Sequence, residues 1–278
     1  MNFSSGLSGC KIQLLDNKIV RKSSPSINYN SRLILQIDKQ NLFSNLIFKN
    51  INTPKILNIN QDSLYYFDME YIHGKCFSEY FSVANNFDIK FVLETLFEYF
   101  DTLIGNYKTT NVQNSILKKI KILKEKTAYK EYLNYLENYV IKEKIIIPKT
   151  FCHGDLTFNN IIFHKKRLFF IDFLDSYIDS FLCDLIKLKQ DLFYSWGISI
   201  ENKKCIRIHQ VYTYIWKEIE DKYFRYINHI NFDILDALNL LRLEPYLTNQ
   251  YQRSILNQII KTTKLYEKFS NTYGREIK

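Results

Sequence analysis

Cysteine is scarce and badly placed for structural chemistry. Cys10, Cys76, Cys152, Cys183 and Cys205 are odd in number and scattered, with no Cys-x-x-Cys pair and no histidine at zinc-ligand spacing. A disulfide framework and a structural zinc site are therefore excluded, and free thiols point to a reducing cytoplasm. Long apolar runs are missing too. No stretch approaches the roughly 18 residues of a membrane span, and Met1 to Cys10 is too poor in apolar residues for a signal peptide. Acidic residues are outnumbered, 29 against 38 Lys and Arg, leaving a net charge of +9. That balance permits anionic partners, but no nucleic-acid-binding motif accompanies it, and the Lys-rich segment 118–130 reads as the solvated face of an amphipathic helix. Nucleic acid is not an expected partner. With only seven glycines and four prolines in the chain, those at turns carry weight.

What is present is globular. Of 278 residues, 46% are hydrophobic, 16% aromatic and 24% charged, enough for a substantial core in one large domain or two lobes. The stretch Thr150–Ser176, TFCHGDLTFNNIIFHKKRLFFIDFLDS, organises the rest. His153, Gly154 and Asp155 fall on a tight turn, and Asn160 follows five residues after the aspartate. Two apolar, β-favouring runs, Ile161–Phe163 and Leu168–Ile171, flank the basic tip His164-Lys165-Lys166-Arg167, which predicts a hairpin. Folding it brings Asn160 beside Asp172. A carboxylate and an amide oxygen together suit Mg²⁺ when phosphates supply further ligands, and Asp155 is left facing an acceptor. Phosphoryl transfer needs these parts: a carboxylate to orient and deprotonate the attacking hydroxyl, and Asn plus Asp to hold metal on nucleotide phosphates.

His153-Gly154-Asp155-Leu156 with Asn160, followed by Ile171-Asp172-Phe173, resembles the catalytic loop and metal-binding aspartate of the aminoglycoside phosphotransferase and choline kinase family, relatives of the protein kinases. The resemblance spans about Ser4 to Leu188. It implies a two-lobed, protein-kinase-like α+β fold: a small antiparallel β-sheet N-lobe over residues 1–72, and a mainly α-helical C-lobe over residues 73–278 carrying the catalytic hairpin and the acceptor site. It also implies ATP and Mg²⁺ as cofactors, a small hydroxyl compound as acceptor, and a catalytic loop that includes His153 with Asp155.

Taken in order, the chain supplies the remaining parts. The first turn, with Gly6 and Gly9, corresponds to the loop over the nucleotide phosphates, although it lacks the dense glycines of protein kinases. Lys18–Lys22 reads as a strand. Arg21 and Lys22 point to opposite faces of it, and Lys22 best matches the family's phosphate-contacting lysine. Ser31–Phe43 has helical spacing, with Ser31 as N-cap. The glutamate that pairs with the strand lysine in the family is absent from this helix. Asp38 is the available carboxylate, and Gln36 is the alternative. Strands are expected over 54–57 and 64–69. The second runs into Glu70, Tyr71 and Ile72, the match for the hinge whose main chain binds adenine.

Beyond Gly74 the periodicity turns helical over 91–104, 115–125 and 129–140, and Pro148 ends that region. Asp184, on a helix after the hairpin, matches the aspartate that braces the catalytic loop. Asp175 is a candidate support for metal or acceptor. Arg242, Glu244 and Tyr246, around Pro245, are candidate acceptor contacts.

The expected function is an ATP-dependent, Mg²⁺-requiring phosphotransferase acting on a small-molecule hydroxyl, with a sugar or sugar derivative of surface-polysaccharide metabolism as acceptor. Choline, ethanolamine and aminoglycosides are the alternatives. A different class, a catalytically inactive nucleotide-binding regulatory protein, is favoured by the missing helix glutamate and the sparse glycine loop. The intact set Asp155, Asn160 and Asp172 speaks against it.

Overall fold

Alternating burial along Ile19–Ser23 makes that segment the middle of an antiparallel sheet, with one face under a helix and the other toward solvent. The computed structural model describes residues 2–3, 9–16, 18–105, 107–200 and 206–273. Strands β1 (Asn2–Phe3), β2 (Lys11–Leu14) and β3 (Ile19–Ser23) lead into helix α1 (Asn30–Ser44). Strands β4 (Ile51–Asn52), β5 (Ile56–Asn60) and β6 (Tyr66–Glu70) follow, then helices α2 (Phe77–Val83) and α3 (Asn86–Ile104). Next come β7 (Lys108–Asn111), α4 (Gln113–Lys126), α5 (Lys130–Lys142) and β8 (Ile146–Lys149). The hairpin is β9 (Ile161–His164) and β10 (Arg167–Phe170). The rest is helical: α6 (Phe181–Leu192), α7 (Trp196–Ile200), α8 (Ile206–Lys222), α9 (Phe224–Ile227), α10 (Ile230–Leu241), α11 (Gln250–Lys261) and α12 (Lys264–Tyr273).

Packing divides the chain into two units. One comprises the residues up to Tyr99 together with His153–Asp175; the other comprises Phe100–Cys152 and the residues from Ser176 onward. The division expected after residue 72 follows the change from strand to helix. Packing follows contacts instead, because β10 pairs in parallel with β4, Leu168 opposite Ile51, and carries the hairpin into the first unit.

In the first unit the sheet order is β1-β2-β3-β6-β5, all antiparallel, and a second sheet runs β4-β10-β9. Leu33 and Ile37 of α1 bury against Cys10 and Phe67 of the sheet. At the far end of α1, Phe43 packs on Phe170 at 5.6 Å and Phe173 at 5.0 Å, one ring on each side of Asp172. Each of these rings is essentially fully buried, worth about 2–3 kcal/mol apiece. Ser31 is not the helix cap. A short turn, Ile27–Tyr29, precedes α1, and no side chain caps it. Asn30 reaches across instead, donating to the Ser63 carbonyl (2.7 Å) and accepting from the Tyr65 amide (3.1 Å).

The second unit holds the paired strands β7 and β8 and most of the helices. Pro148, expected only to end the helical region, sits inside β8 opposite Thr109. A two-stranded ladder is all edge, so the missing N–H is tolerated. Helix α6 begins at Ser180, whose Oγ accepts from the Leu182 amide, while Thr150 Oγ1 accepts from the Phe181 amide at 2.7 Å.

Candidate active site

Strand alternation separates Arg21 from Lys22. Arg21 faces away from α1, donates twice to Asp68 at 2.7 and 2.8 Å, and lies over the Tyr66 ring at 3.8 Å. The Arg21 hydrogen bonds hold the Asp68 carboxyl below its ordinary range. Lys22 points under α1 and is only 2% exposed. Its ammonium donates to Gln36 Oε1 at 2.7 Å and forms an ion pair with Asp172. Asp38, the carboxylate expected to support Lys22, is exposed on another face of α1. The correction follows from helix geometry: Gln36 shares the buried stripe with Leu33, Ile37 and Gln40, while Asp38 is about 200° round the helix from Gln36.

The loop from His153 to Asn160 is held by its own backbone and two side chains. Asn160 Nδ2 donates to the Asp155 carbonyl at 2.7 Å and to Asp155 Oδ2 at 3.2 Å, and the Ile171 amide donates to the Asn160 carbonyl at 3.0 Å. His153 ties the two acidic segments together. Its Nδ1 accepts from the Asp155 amide (3.2 Å), which fixes the proton on Nε2, and Nε2 donates to the Ile171 carbonyl at 2.8 Å. The Leu174 amide donates to the His153 carbonyl at 3.0 Å, and the imidazole packs 4.3 Å from the Phe173 ring. Burial lowers the His153 pKa to about 4 against the opposing pull of Asp155, so the ring is neutral. With no exposure and both nitrogens engaged, His153 positions Asp155 and does not touch a substrate.

Asp172 sits just beyond β10 with φ +64°. Aspartate tolerates this left-handed conformation better than most residues. Helix α1 also grips the following segment: Lys39 donates to the Leu174 carbonyl at 2.8 Å, and Arg32 pairs with Asp175 at 3.1 Å. Asp175 is thus an exposed partner of α1.

The hinge match is partly committed. The Glu70 amide donates to the Lys55 carbonyl (3.0 Å) and the Tyr71 amide to the Lys18 carbonyl (2.7 Å), leaving the Ile72 amide without a backbone partner among the described residues. Gly9 has φ +73°, a conformation that favours glycine. Gly6 lies outside the described residues.

Asp184 is fully buried on α6 in the second unit. Glu244 is spoken for there: its Oε2 accepts from the Ala128 amide at 2.9 Å, and Arg253 pairs with it at 3.5 Å. Arg242 donates to Asn239 Oδ1 at 3.0 Å, and Tyr246 is 56% exposed. The features that sequence reasoning missed are the positioning roles of His153 and Arg32. Residue spacing carried no signal for the latter, since Arg32 is an exposed position of α1.

Residues 126–202, which include the whole stretch 150–176, match the phosphotransferase enzyme family. No curated protein matches the chain. Several solved structures do. The streptomycin–ATP ternary complex of APH(2″)-IIa is 14% identical, with 95% of this chain and 91% of that chain covered and a TM-score of 0.60. The GDP complex of wild-type aminoglycoside 2′-phosphotransferase-IIIa is 15% identical, with coverage of 98% and 92% and a TM-score of 0.58. A thermostable mutant of APH(4)-Ia in ternary complex with ADP and hygromycin B is 10% identical, with coverage of 95% and 94% and a TM-score of 0.59. The fold is that of the kinase-like aminoglycoside phosphotransferases, and the resemblance read from residues 153–173 is borne out. No helix among the described residues is long and apolar enough to cross a membrane.

Proposed function

We propose that the chain transfers the γ-phosphoryl group of ATP, with Mg²⁺, to a hydroxyl of a small molecule. The observation that carries this reading is the gathering of Lys22, Asp172, Asn160 and Asp155 within one packing unit, from segments as far apart as residues 22 and 172. Asp155, held by Asn160, orients the acceptor hydroxyl and takes its proton as the oxygen attacks the γ-phosphorus and the bond to the β-phosphate oxygen breaks. Lys22 neutralises phosphate charge, and the Ile72 amide meets the adenine edge. Gly9, with its left-handed backbone, lets the chain approach the phosphates closely.

The donor set fits Mg²⁺. The Asp172 carboxylate is 45% exposed, and Asn160 commits its amide nitrogen to Asp155, which leaves the amide oxygen for a hard cation. Asp172 and Asn160 are the residues that would hold it. When bound, the ion supplies charge neutralisation at the β- and γ-phosphate oxygens.

For the acceptor, the net charge of +9 favours an anionic sugar derivative. The neighbours bound to streptomycin, kanamycin and hygromycin B favour a second reading, an aminoglycoside. The test is Mg²⁺-dependent ADP release against a panel of sugars, sugar phosphates, amino alcohols and aminoglycosides, with the product identified by its added phosphate. Acceptor-dependent turnover is expected. Tight nucleotide binding with no turnover on any acceptor would favour the regulatory alternative.

A further inference from the structure

A recess of about 120 Å³ lies in the second unit, between the end of α6 and residues of α8, α10 and the α11–α12 junction. Its polar lining sets the acceptors of Glu220, Asp233 and Asp236 and three hydroxyls against two lysines, Lys189 and Lys264. Asp236 is 2% exposed; its Oδ2 receives both Lys189 Nζ at 2.6 Å and the Tyr194 hydroxyl at 2.7 Å. Its Oδ1 is buried with no hydrogen-bond partner among the described residues. Tyr194 has spent its one hydroxyl proton on Asp236. Thr262 and Thr263 have likewise donated theirs to the Ile259 and Ile260 carbonyls, each at 2.7 Å. These three hydroxyls therefore have lone pairs but no proton left to give, and Thr263 Oγ1 also accepts from the Tyr266 amide at 3.4 Å.

Charge narrows the ligand. Glu220, Asp233 and Asp236 face Lys189 and Lys264 across the lining. Lys189 is committed to Asp236, and Lys264 to Asn228 at 3.0 Å. Lys268 also acts on Asp233, so three carboxylates face three ammonium groups; the unspent oxygen of Asp236 is an acceptor, which an anion cannot satisfy. No group of three His, Cys, Asp or Glu suited to a metal ion occurs among the described residues, and Mg²⁺ and Ca²⁺ need six or more oxygen ligands. Phe193, Ile227 and Leu265 supply an apolar wall. Burial holds the Asp233 carboxyl above its ordinary range against the opposing pull of Lys264, Lys189 and Lys268.

We propose that this recess binds a small primary amine as its ammonium ion, with N–H groups on Asp236 Oδ1 and Asp233 and the carbon chain against Phe193 and Ile227. The inference is independent of the phosphotransfer reading. Its test is calorimetric titration of the whole chain, without nucleotide, with n-propylammonium chloride. Propanol, which lacks the charge, and tetramethylammonium chloride, which cannot donate a hydrogen bond, are the comparisons. Saturable binding of propylammonium alone is expected. Asp236→Asn can unbalance Lys189 and destabilise the fold, so Asp233→Asn and Thr263→Val carry the mutational arm. Asp233→Asn should weaken binding about tenfold, the loss expected for one charge-assisted hydrogen bond, and Thr263→Val should weaken it less. The proposal is overturned if propylammonium does not saturate, which would mean a water-filled recess only, if tetramethylammonium binds equally well, or if Asp233→Asn binds like the wild type.

Discussion

Lys22 donates to the amide oxygen of Gln36, a neutral partner at 2.7 Å, and its ion pair among the described residues is with Asp172. A buried ammonium stripped of water is thus shared between an amide and the carboxylate assigned to the metal. Gln36→Ala should cost about 1–3 kcal/mol, the penalty for an under-satisfied buried donor. Gln36→Glu should draw Lys22 from Asp172 and lower the Mg²⁺ concentration needed for half-maximal nucleotide binding. Thermal unfolding and Mg²⁺ titrations check both. Unchanged stability in Gln36→Ala would contradict the contact's importance.

The two neighbouring cations of β3 should separate cleanly. Lys22→Ala should weaken ATP binding by about tenfold or more, the loss of a charge-assisted contact to phosphate. Arg21→Ala, which breaks only the pairing with Asp68 and Tyr66 on the other face, should leave ATP affinity unchanged. Equal effects in the two variants would show that the strand faces are misassigned.

Acid should loosen the loop through His153. The unfolded chain takes up this proton near pH 6.5, whereas burial lowers the folded value to about 4. The contribution to stability is therefore complete above about pH 6.5 and is lost as pH falls toward 4, a change on the order of 3 kcal/mol. His153→Gln keeps a donor near the Ile171 carbonyl but cannot titrate. Unfolding free energies between pH 4.5 and 7 should fall less steeply with acid in this variant. Identical slopes would contradict the assignment.

Gly74 has no room for a side chain. A Cβ there would lie 2.8 Å from the Phe163 carbonyl oxygen and against Ile162 Cγ2, beside the paired bonds between Lys75 and Phe163. Gly74→Ala should cost about 1–3 kcal/mol, typical of overpacking, and denaturant unfolding will measure it. A neutral effect would mean the 74–75 segment shifts freely.

Much of this arrangement was legible in the residues. The hairpin declared itself because two β-favouring runs flank a charged tip, and Asp155, Asn160 and Asp172 followed from their spacing around it. The helical stripes of α3, α4 and α5 were visible for the same periodic reason. Strand β4 was not, because two residues carry no pattern and their pairing with β10 is non-local. The preference for Gln36 over Asp38 was half legible: charge suggested the carboxylate, whereas the period of Leu33, Ile37 and Gln40 pointed to the amide. The bonds that let His153 join the Asp155 and Asp172 segments depend on a tautomer and on backbone geometry, which spacing cannot specify.

The metal pair should behave as a unit distinct from Asp155. Asp172→Ala should abolish Mg²⁺-dependent nucleotide binding and turnover together, with a milder loss in Asn160→Ala. ATP affinity measured with and without Mg²⁺ checks this. Wild-type metal dependence in Asp172→Ala would move the metal site elsewhere.

The most direct measurement is single-turnover phosphoryl transfer by Asp155→Asn beside ATP affinity in the same preparation. The amide keeps the shape of Asp155 and its place beside Asn160 but cannot accept the hydroxyl proton. Turnover should fall by roughly two to four powers of ten, the range of lost acid–base catalysis, with ATP affinity unchanged. Full activity in Asp155→Asn would contradict the account.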